Sequence, residues 1–364
     1  MRSRLNEFFQ RWLGRYRKAP KPDTGAARMP RNHVIIIDGT MCALTPSGYE
    51  TNAGISYKLV CETGAASVHY EPGIQWRDWS SALEVALGRG INEQIRRAYG
   101  VLASRYRPGD RIYLIGYSRG AYAVRSLAGV IDKVGLLRAE QATMRNIREA
   151  YRHYQQGADS SFAARFKDLY CHQDTPVEMI AVWDTVRALG NHLPLFARWT
   201  AARHLFHDHH LPMSVKHGYQ ALAADENRQV FAPILWYSSK GWPGQMQQMW
   251  FRGSHADIGG QVGGFSASRP LSNISLVWLL GRAEDCGLPL PPLWKNRFLR
   301  DSDAQSVGTW QGWSKFFCAV NAGLSEWTAQ SRSTIFIIKN PPLRRLIWRN
   351  GKTRSPGQDS RIYI

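Results

Sequence analysis

The sequence lacks the features that define several large classes of protein. Its five cysteines are odd in number, widely separated and free of any CxxC pair, which suits a reducing compartment and argues against a disulfide framework or a zinc ribbon. No stretch approaches the roughly 18 uninterrupted apolar residues of a membrane-spanning helix, and residues 1–18 have no continuous apolar block of the kind that marks a Sec signal. We therefore expect a cytoplasmic or peripheral membrane protein, with export only by a route other than Sec.

Acidic residues are scarce relative to basic ones, with 28 Asp and Glu against 47 Lys and Arg and a formal net charge of +19. Such an excess suggests a nucleic-acid or anionic-membrane partner. Most of it lies at the two ends, since residues 1–32 carry +7, residues 340–364 carry +5, and residues 33–339 retain only +7. Because the nearly balanced central part has no zinc-finger, RNP or helix-turn-helix signature, we expect no nucleic-acid partner.

The N-terminal segment combines cations with aromatic residues at helical spacing. Apolar residues recur every three to four positions between Leu5 and Tyr16, and six basic residues stand at other positions from Arg2 to Lys18. This pattern predicts a basic amphipathic helix and then a Pro-rich linker up to residue 32. Such a helix either lies in an anionic lipid interface or docks on the domain. An organellar transit peptide is a weaker alternative because Ser is scarce. Residues 340–364 form a basic C-terminal tail.

Residues 33–339 alternate short apolar runs with longer amphipathic stretches, which predicts an α/β fold with a mainly parallel sheet flanked by helices. At 364 residues, 44% of them hydrophobic, the chain is long enough for a substantial core. The predicted strands are His33–Ile37, Arg111–Ile115, Val177–Trp183 and Gln247–Phe251, of which the first three are unbroken apolar runs. Helical periodicity covers Gly90–Tyr106, Gly120–Lys133 and Leu271–Cys286. Two polar stretches, about residues 139–173 and 191–217, are expected to be helical insertions that form a lid.

One motif within residues 33–339 is typical of a catalytic serine. Directly after the second predicted strand the chain reads Gly116-Tyr117-Ser118-Arg119-Gly120, a G-x-S-x-G pattern between a strand and a helix. In a nucleophile elbow the serine occupies a strained turn, and glycines flank it because strand and helix approach too closely for side chains. Ser118 is therefore the candidate nucleophile of an α/β-hydrolase fold. The alternative is an ordinary Gly-rich strand-to-helix turn.

A serine nucleophile needs a base to accept its proton and a carboxylate to orient that base, in the chain order Ser, Asp or Glu, His. Asp184 ends the third predicted strand, so its carboxylate is expected at the same sheet edge as Ser118. His255 follows the fourth predicted strand in a Gly-rich loop, where a triad histidine belongs. Asp257 is the second candidate for the acid. The competing interpretations are a helix N-cap for Asp184 and a structural histidine for His255.

Ester hydrolysis also needs N–H donors for the tetrahedral oxyanion, usually the amide after the nucleophile and one from a loop after an early strand. The candidates are the backbone amides of Arg119, Gly39 and Thr40. A carboxylate beside an oxyanion would oppose its charge, so we expect Asp38 to anchor the loop by accepting backbone hydrogen bonds. No cofactor is expected, and the histidine-rich run His204–His210 is expected to be a polar surface rather than a metal site.

These residues, with several others, resemble the α/β-hydrolase family that contains the catalytic domain of type VI secretion phospholipase effectors of the Tle1-like class. The resemblance covers roughly residues 33–287. The matching motifs include Asp38-Gly39-Thr40, Thr51-Asn52, the Ser118 motif with Arg125, residues 182–186, Asp225-Glu226 and the loop around His255. The family usually has Trp and Asn where this chain has Met41 and Cys42, so the first loop is expected to differ in shape.

The resemblance implies a lipid-ester or related acyl hydrolase with Ser118 as nucleophile, Asp184 as acid and His255 as base, acting through an acyl-enzyme. Together with the basic ends, it favours a phospholipid substrate at an anionic membrane surface. It also points to a secretion-apparatus or immunity protein as partner. The alternatives are a small-ester esterase, a basic nucleic-acid-binding module and a catalytically inactive scaffold.

Overall fold

The computed structural model describes residues 28–75, 89–186, 210–228, 231–309 and 336–337 of the 364-residue chain. All the helices and strands below belong to the unit Arg31–Ile364. Three predictions lie outside the described residues: most of the amphipathic N-terminal segment, the run His204–His209, and the basic tail 340–364.

Seven parallel strands form one sheet within the described residues, in the order β2-β1-β3-β4-β5-β6-β7. The strands are β1 (Asn32–Ile37), β2 (Ala66–Glu71), β3 (Arg111–Tyr117), β4 (Val177–Trp183), β5 (Val215–Ala223), β6 (Gln245–Phe251) and β7 (Phe336–Ile337). Because neighbouring strands all run in the same direction, the loops that follow β1, β3, β4 and β6 meet at one edge of the sheet, its carboxyl edge.

Helices cover both faces of the sheet. They are α1 (Asn52–Thr63), α2 (Arg89–Arg105), α3 (Arg119–Lys133), α4 (Met144–Gln155), α5 (Ser161–Tyr170), α6 (His255–Gly259) and α7 (Arg269–Asp285). Successive strand residues point to opposite faces: Ile35 and Ile37 pack in the core with α2, α3 and α4, and Val34 and Ile36 pack with α1 and α7. The prediction of an α/β fold with a mainly parallel sheet flanked by helices is confirmed.

The structure adds elements that the apolar pattern did not reveal. The four predicted strands and three predicted helices are present within two residues of their expected bounds, and α1, β2, β5, α6 and β7 are additional. Strand β5 starts at Val215, so the end of the predicted insertion 191–217 is wrong: residues 215–217 are strand. Glycine and alanine have low strand propensity and occur in β5, but pairing with β4 and β6 on either side stabilises the strand.

The predicted insertion at residues 139–173 contains α4 and α5. Ile147, Ala150 and Tyr154 of α4 are buried in the same core as α2 and α3. This segment is therefore a packed part of the helical layer rather than a cover that closes over a site. The proposal of a lid rests on the second stretch, and residues 191–209 of it lie outside the described residues.

Among the described residues, no helix combines the length and apolar character needed to cross a membrane. The cysteines of the same ranges carry free thiols.

Candidate active site

Ser118 lies in a sharp turn between β3 and α3. Its φ of 57° and ψ of −121° are a strained backbone conformation for a residue with a side chain. A Cβ added at Gly116 would lie 2.7 Å from the Ala121 Cα, and one added at Gly120 would lie 2.1 Å from the Ile37 carbonyl oxygen. Neither position accepts a side chain, and this close packing of α3 on the sheet holds Ser118 at the carboxyl edge.

Asp184 follows the last residue of the neighbouring strand β4 and has a φ of 41°. Its N–H donates to the Ala221 carbonyl at 2.8 Å, and its Oδ1 accepts a hydrogen bond from the Ala223 N–H at 3.3 Å. These bonds to β5 fix the turn after β4. Asp184 is 0% exposed, so its carboxylate contacts protein groups and not bulk water.

His255 joins these two residues. It is the first residue of α6, just after β6, and its side chain is buried. The imidazole Nδ1 lies 2.6 Å from Asp184 Oδ2, and Nε2 lies 2.8 Å from Ser118 Oγ. Because an ionised carboxylate can only accept, Nδ1 carries the proton and Nε2 is left to accept the Ser118 hydroxyl. Residues 118, 184 and 255 thus form one continuous hydrogen-bonded chain.

Two aromatic rings hold the imidazole plane. The Tyr117 ring stacks on one side with centroids 5.0 Å apart, and the Phe231 ring stacks at 4.7 Å. The Tyr117 hydroxyl donates to the His255 carbonyl at 3.2 Å. These contacts restrict rotation of the imidazole away from Ser118.

Asp257, the second candidate acid, has other partners. Its Oδ2 accepts hydrogen bonds from the Ser254 N–H and hydroxyl, each at 2.8 Å, and from the Ser306 hydroxyl at 2.6 Å. Its Oδ1 accepts from the Val307 N–H at 2.8 Å. Asp257 therefore caps α6 and ties residues 306–307 to it, whereas Asp184 is the carboxylate beside the imidazole.

Asp38 holds the loop that follows β1. Its carboxylate accepts hydrogen bonds from the Thr51 hydroxyl at 2.8 Å, the Tyr70 hydroxyl at 2.6 Å and the Gly39 N–H at 2.7 Å. Burial raises the pKa of Asp38 despite these bonds. The Gly39 N–H is therefore committed to Asp38 and is not available to a substrate. Within the described residues, the amides of Thr40 and Arg119 have no hydrogen-bond acceptor, and these two stay as candidate oxyanion donors.

Glu226 was not recognised as a site residue from the sequence. Its carboxylate accepts a hydrogen bond from the His255 N–H at 3.1 Å and pairs with the Arg228 guanidinium at 2.6 Å. Burial raises the pKa of Glu226, but the hydrogen bonds and charge of Arg228 outweigh it, so the net pKa is lowered. Arg228 also lies over the Phe231 ring at 4.2 Å. This pair positions both the backbone of His255 and the ring stacked on its imidazole.

The family model described as the catalytic domain of Tle1-like type VI secretion phospholipase effectors matches residues 31–282. The chain belongs to this family. The resemblance inferred from the motifs is thus confirmed.

Three other proteins are similar over part of their length. The uncharacterized protein YEL023C of Saccharomyces cerevisiae is 27% identical over 189 residues, which span 44% of this chain and 27% of the yeast protein. A crystal structure of an uncharacterized Pseudomonas aeruginosa protein has a TM-score of 0.42 at 15% identity and covers 84% of this chain and 51% of its own. The Tle1 effector solved with the VgrG spike of the type 6 secretion system has a TM-score of 0.35 at 20% identity, covering 65% and 52%. The chain spans about a quarter of the yeast relative and about half of the two solved proteins.

Metal-ligating residues do not cluster in the part of the chain that the structure describes: no group of three or more His, Cys, Asp or Glu is placed to hold an ion there. Of the histidine-rich run, His210 is described, and it pairs with Tyr237 through an isolated backbone bridge. The remaining histidines of that run lie outside the described residues.

Proposed function

We propose that the protein is a serine ester hydrolase of the α/β-hydrolase fold that cleaves phospholipids at an anionic membrane surface. The observation that carries the proposal is the buried chain of hydrogen bonds from Ser118 Oγ to His255 Nε2, 2.8 Å, and from His255 Nδ1 to Asp184 Oδ2, 2.6 Å. A strained turn presents the serine, and the three residues follow the chain order of α/β-hydrolases.

The same geometry supports a two-step acyl transfer. His255 Nε2 takes the hydroxyl proton as Ser118 Oγ attacks the ester carbonyl, and Asp184 stabilises the imidazolium that forms. The amides of Thr40 and Arg119 donate to the tetrahedral oxyanion. The imidazolium returns its proton to the departing alcohol, which leaves an acyl group on Ser118. Water, deprotonated by His255, then releases the fatty acid and regenerates the serine.

Family membership supports a phospholipid as the substrate, and the net charges of +7 on residues 1–32 and +5 on residues 340–364 favour an anionic surface. The same membership supports delivery by a secretion apparatus with a protein partner from it. The insertion between β4 and β5, at residues 191–214, is the proposed lid.

The test is hydrolysis of vesicles that contain phosphatidylglycerol and phosphatidylethanolamine, with products identified by mass. We expect fatty acid and lysophospholipid from the wild type and from Ser104→Ala, a control that removes an exposed helical hydroxyl bonded to its own helix. Ser118→Ala is expected to release neither. Brisk cleavage of short soluble esters without fatty-acid release would contradict the lipid substrate and favour a small-ester esterase.

A further inference from the structure

The guanidinium of Arg119, the residue after the proposed nucleophile, is buried and has no counter-ion among the residues that the structure describes. Arg119 is 7% exposed, and its Nη1 is buried with no hydrogen-bond partner in the described part of the chain. Arg125 and Arg228 are buried to a similar degree, but Arg125 donates to the Ile234 carbonyl at 2.6 Å and Arg228 pairs with a carboxylate. An unpaired buried cation is strongly unfavourable, so a site that contains one is suited to an anion from outside.

Within the described ranges, the groups close to Arg119 do not supply that anion. The group that acts electrostatically on Arg119 is the thiol of Cys42. Cys42 lies in the loop after β1, where its N–H donates to the Gly39 carbonyl at 3.0 Å. Burial, followed by the charge of Asp38, raises the pKa of Cys42 well above its ordinary value, so the thiol is neutral near pH 7. Burial lowers the pKa of Arg119 to about 10, and the guanidinium therefore keeps its charge at that pH.

The carboxylates of the site are already engaged. Asp38 accepts from two hydroxyls and an amide, and Asp184 accepts from the imidazole of His255. The Thr40 hydroxyl, on the same loop as Cys42, is also buried and has no partner among the described residues. An unsatisfied hydroxyl and an unsatisfied guanidinium thus belong to the two segments that supply the proposed oxyanion amides.

We propose that Arg119, assisted by the Thr40 hydroxyl, binds an anionic group that the ester substrate itself carries close to the carbonyl attacked by Ser118. The proposal rests on the proposed function and adds the chemistry of the substrate. A phosphodiester and a carboxylate both suit a guanidinium, which binds either through two parallel N–H donors. The Cα atoms of Arg119 and Ser118 are adjacent, about 3.8 Å apart across one peptide, and the proposal therefore places the anion within a few bonds of the ester.

The experiment compares full-length wild type, Arg119→Gln and Arg119→Lys on two lipids in the same neutral detergent micelles, phosphatidylglycerol and the uncharged dioleoylglycerol. The measured quantity is the ratio of kcat/KM for the anionic lipid to that for the neutral lipid. A charge-assisted hydrogen bond supports a preference of about 10- to 100-fold, so we expect Arg119→Gln to lower the ratio by that factor. Arg119→Lys, which keeps the charge but loses the two-pronged donor, is expected to lower it less.

Two further measurements separate the possible sources of the anion from a structural role. Glycerol 3-phosphate and succinate are tested as competitive inhibitors of p-nitrophenyl butyrate hydrolysis; the one that inhibits wild type and loses its effect in Arg119→Gln identifies a phosphate or a carboxylate. The melting temperature of Arg119→Gln is expected to equal or exceed that of wild type, because the variant removes an uncompensated buried charge.

Equal losses on both lipids would overturn the proposal, since the guanidinium would then act on the developing oxyanion or on the fold. A fall in melting temperature with an unchanged ratio would overturn it as well. Failure of the proposed function looks different: wild type would then cleave none of the esters, whatever residue stands at position 119.

Discussion

Replacing Asp184 by Asn tests the role of the carboxylate beside the imidazole. An asparagine of the same size can place its NH₂ group towards His255 Nδ1, which then has to accept rather than donate. The imidazole proton moves to Nε2, facing Ser118 Oγ, and the ring can no longer accept the hydroxyl proton. The packing is preserved while the hydrogen-bond polarity of the chain is reversed.

The expected loss is large because, in the described part of the chain, no other carboxylate is bonded to the imidazole. Asp184 is 0% exposed and lies 2.6 Å from the imidazole, and Asp257 is occupied by Ser254, Ser306 and Val307. For a triad, an Asp-to-Asn change lowers kcat by about 10⁴-fold, which corresponds to about 5 kcal/mol in the activation free energy. We expect a loss of this order in kcat/KM for p-nitrophenyl butyrate.

Two variants make the measurement specific. Asp257→Asn removes the alternative acid and is expected to lower the melting temperature while changing kcat/KM by less than about tenfold, because Asp257 has a structural role. Asp110→Asn removes a buried carboxylate that pairs with His33 at the opposite edge of the sheet, and it controls for loss of a buried charge. If Asp257→Asn lost more activity than Asp184→Asn, the assignment of the acid would be refuted.

Three further predictions concern the frame of the site. Gly120→Ala is expected to lower the free energy of unfolding by about 3 kcal/mol or more, since its Cβ meets a β1 carbonyl at 2.1 Å. Gly281→Ala on α7 is the urea-denaturation control and should not destabilise, because its Cβ would meet the Lys295 side chain at an ordinary contact distance of 4.0 Å. Glu226→Gln is expected to be less stable than wild type at pH 7. Burial raises the pKa of Glu226, but Arg228 lowers it further, so the net pKa in the folded protein is lowered. The stability that Glu226 contributes is therefore present above its unfolded pKa and disappears as pH falls. The difference in unfolding free energy between wild type and Glu226→Gln should narrow below about pH 5, and a difference that does not change with pH would refute this explanation. Deleting residues 1–30 is expected to weaken binding to anionic vesicles and to spare soluble-ester hydrolysis, and equal loss of both would assign that segment to the fold.

The central strands of the sheet were predictable because the signal for each strand lies within its own few residues. Strands β1, β3 and β4 are short apolar runs buried on both faces, and such runs are typical of parallel strands between helices. β5 was not predictable in the same way, because its glycine and glutamine are accommodated by pairing partners distant in sequence. Helix α1 was also missed: it is capped by Thr51, but its weak apolar periodicity gives no strong signal.

The candidate site was predictable where a backbone motif determines it. Ser118, Asp184 and His255 each follow a strand, so the topology of a parallel sheet alone brings them to one edge. The partners of individual hydrogen bonds were not predictable. The Gly39 amide donates to Asp38 rather than remaining free, and the Glu226 carboxylate accepts from the backbone N–H of His255, 29 residues away. The sequence signal for Glu226 was its spacing of two residues from Arg228, shortly after the Ala221–Ala223 stretch.

The central claim is that Ser118 is the nucleophile, and covalent labelling tests it most directly. Wild type and Ser118→Ala are incubated with a fluorophosphonate probe, digested and analysed by mass spectrometry, and ester hydrolysis is measured on the same samples. We predict that the probe mass appears on the wild-type peptide that contains Ser118, and that Ser118→Ala shows neither labelling nor hydrolysis. Retained hydrolysis in Ser118→Ala would contradict the account.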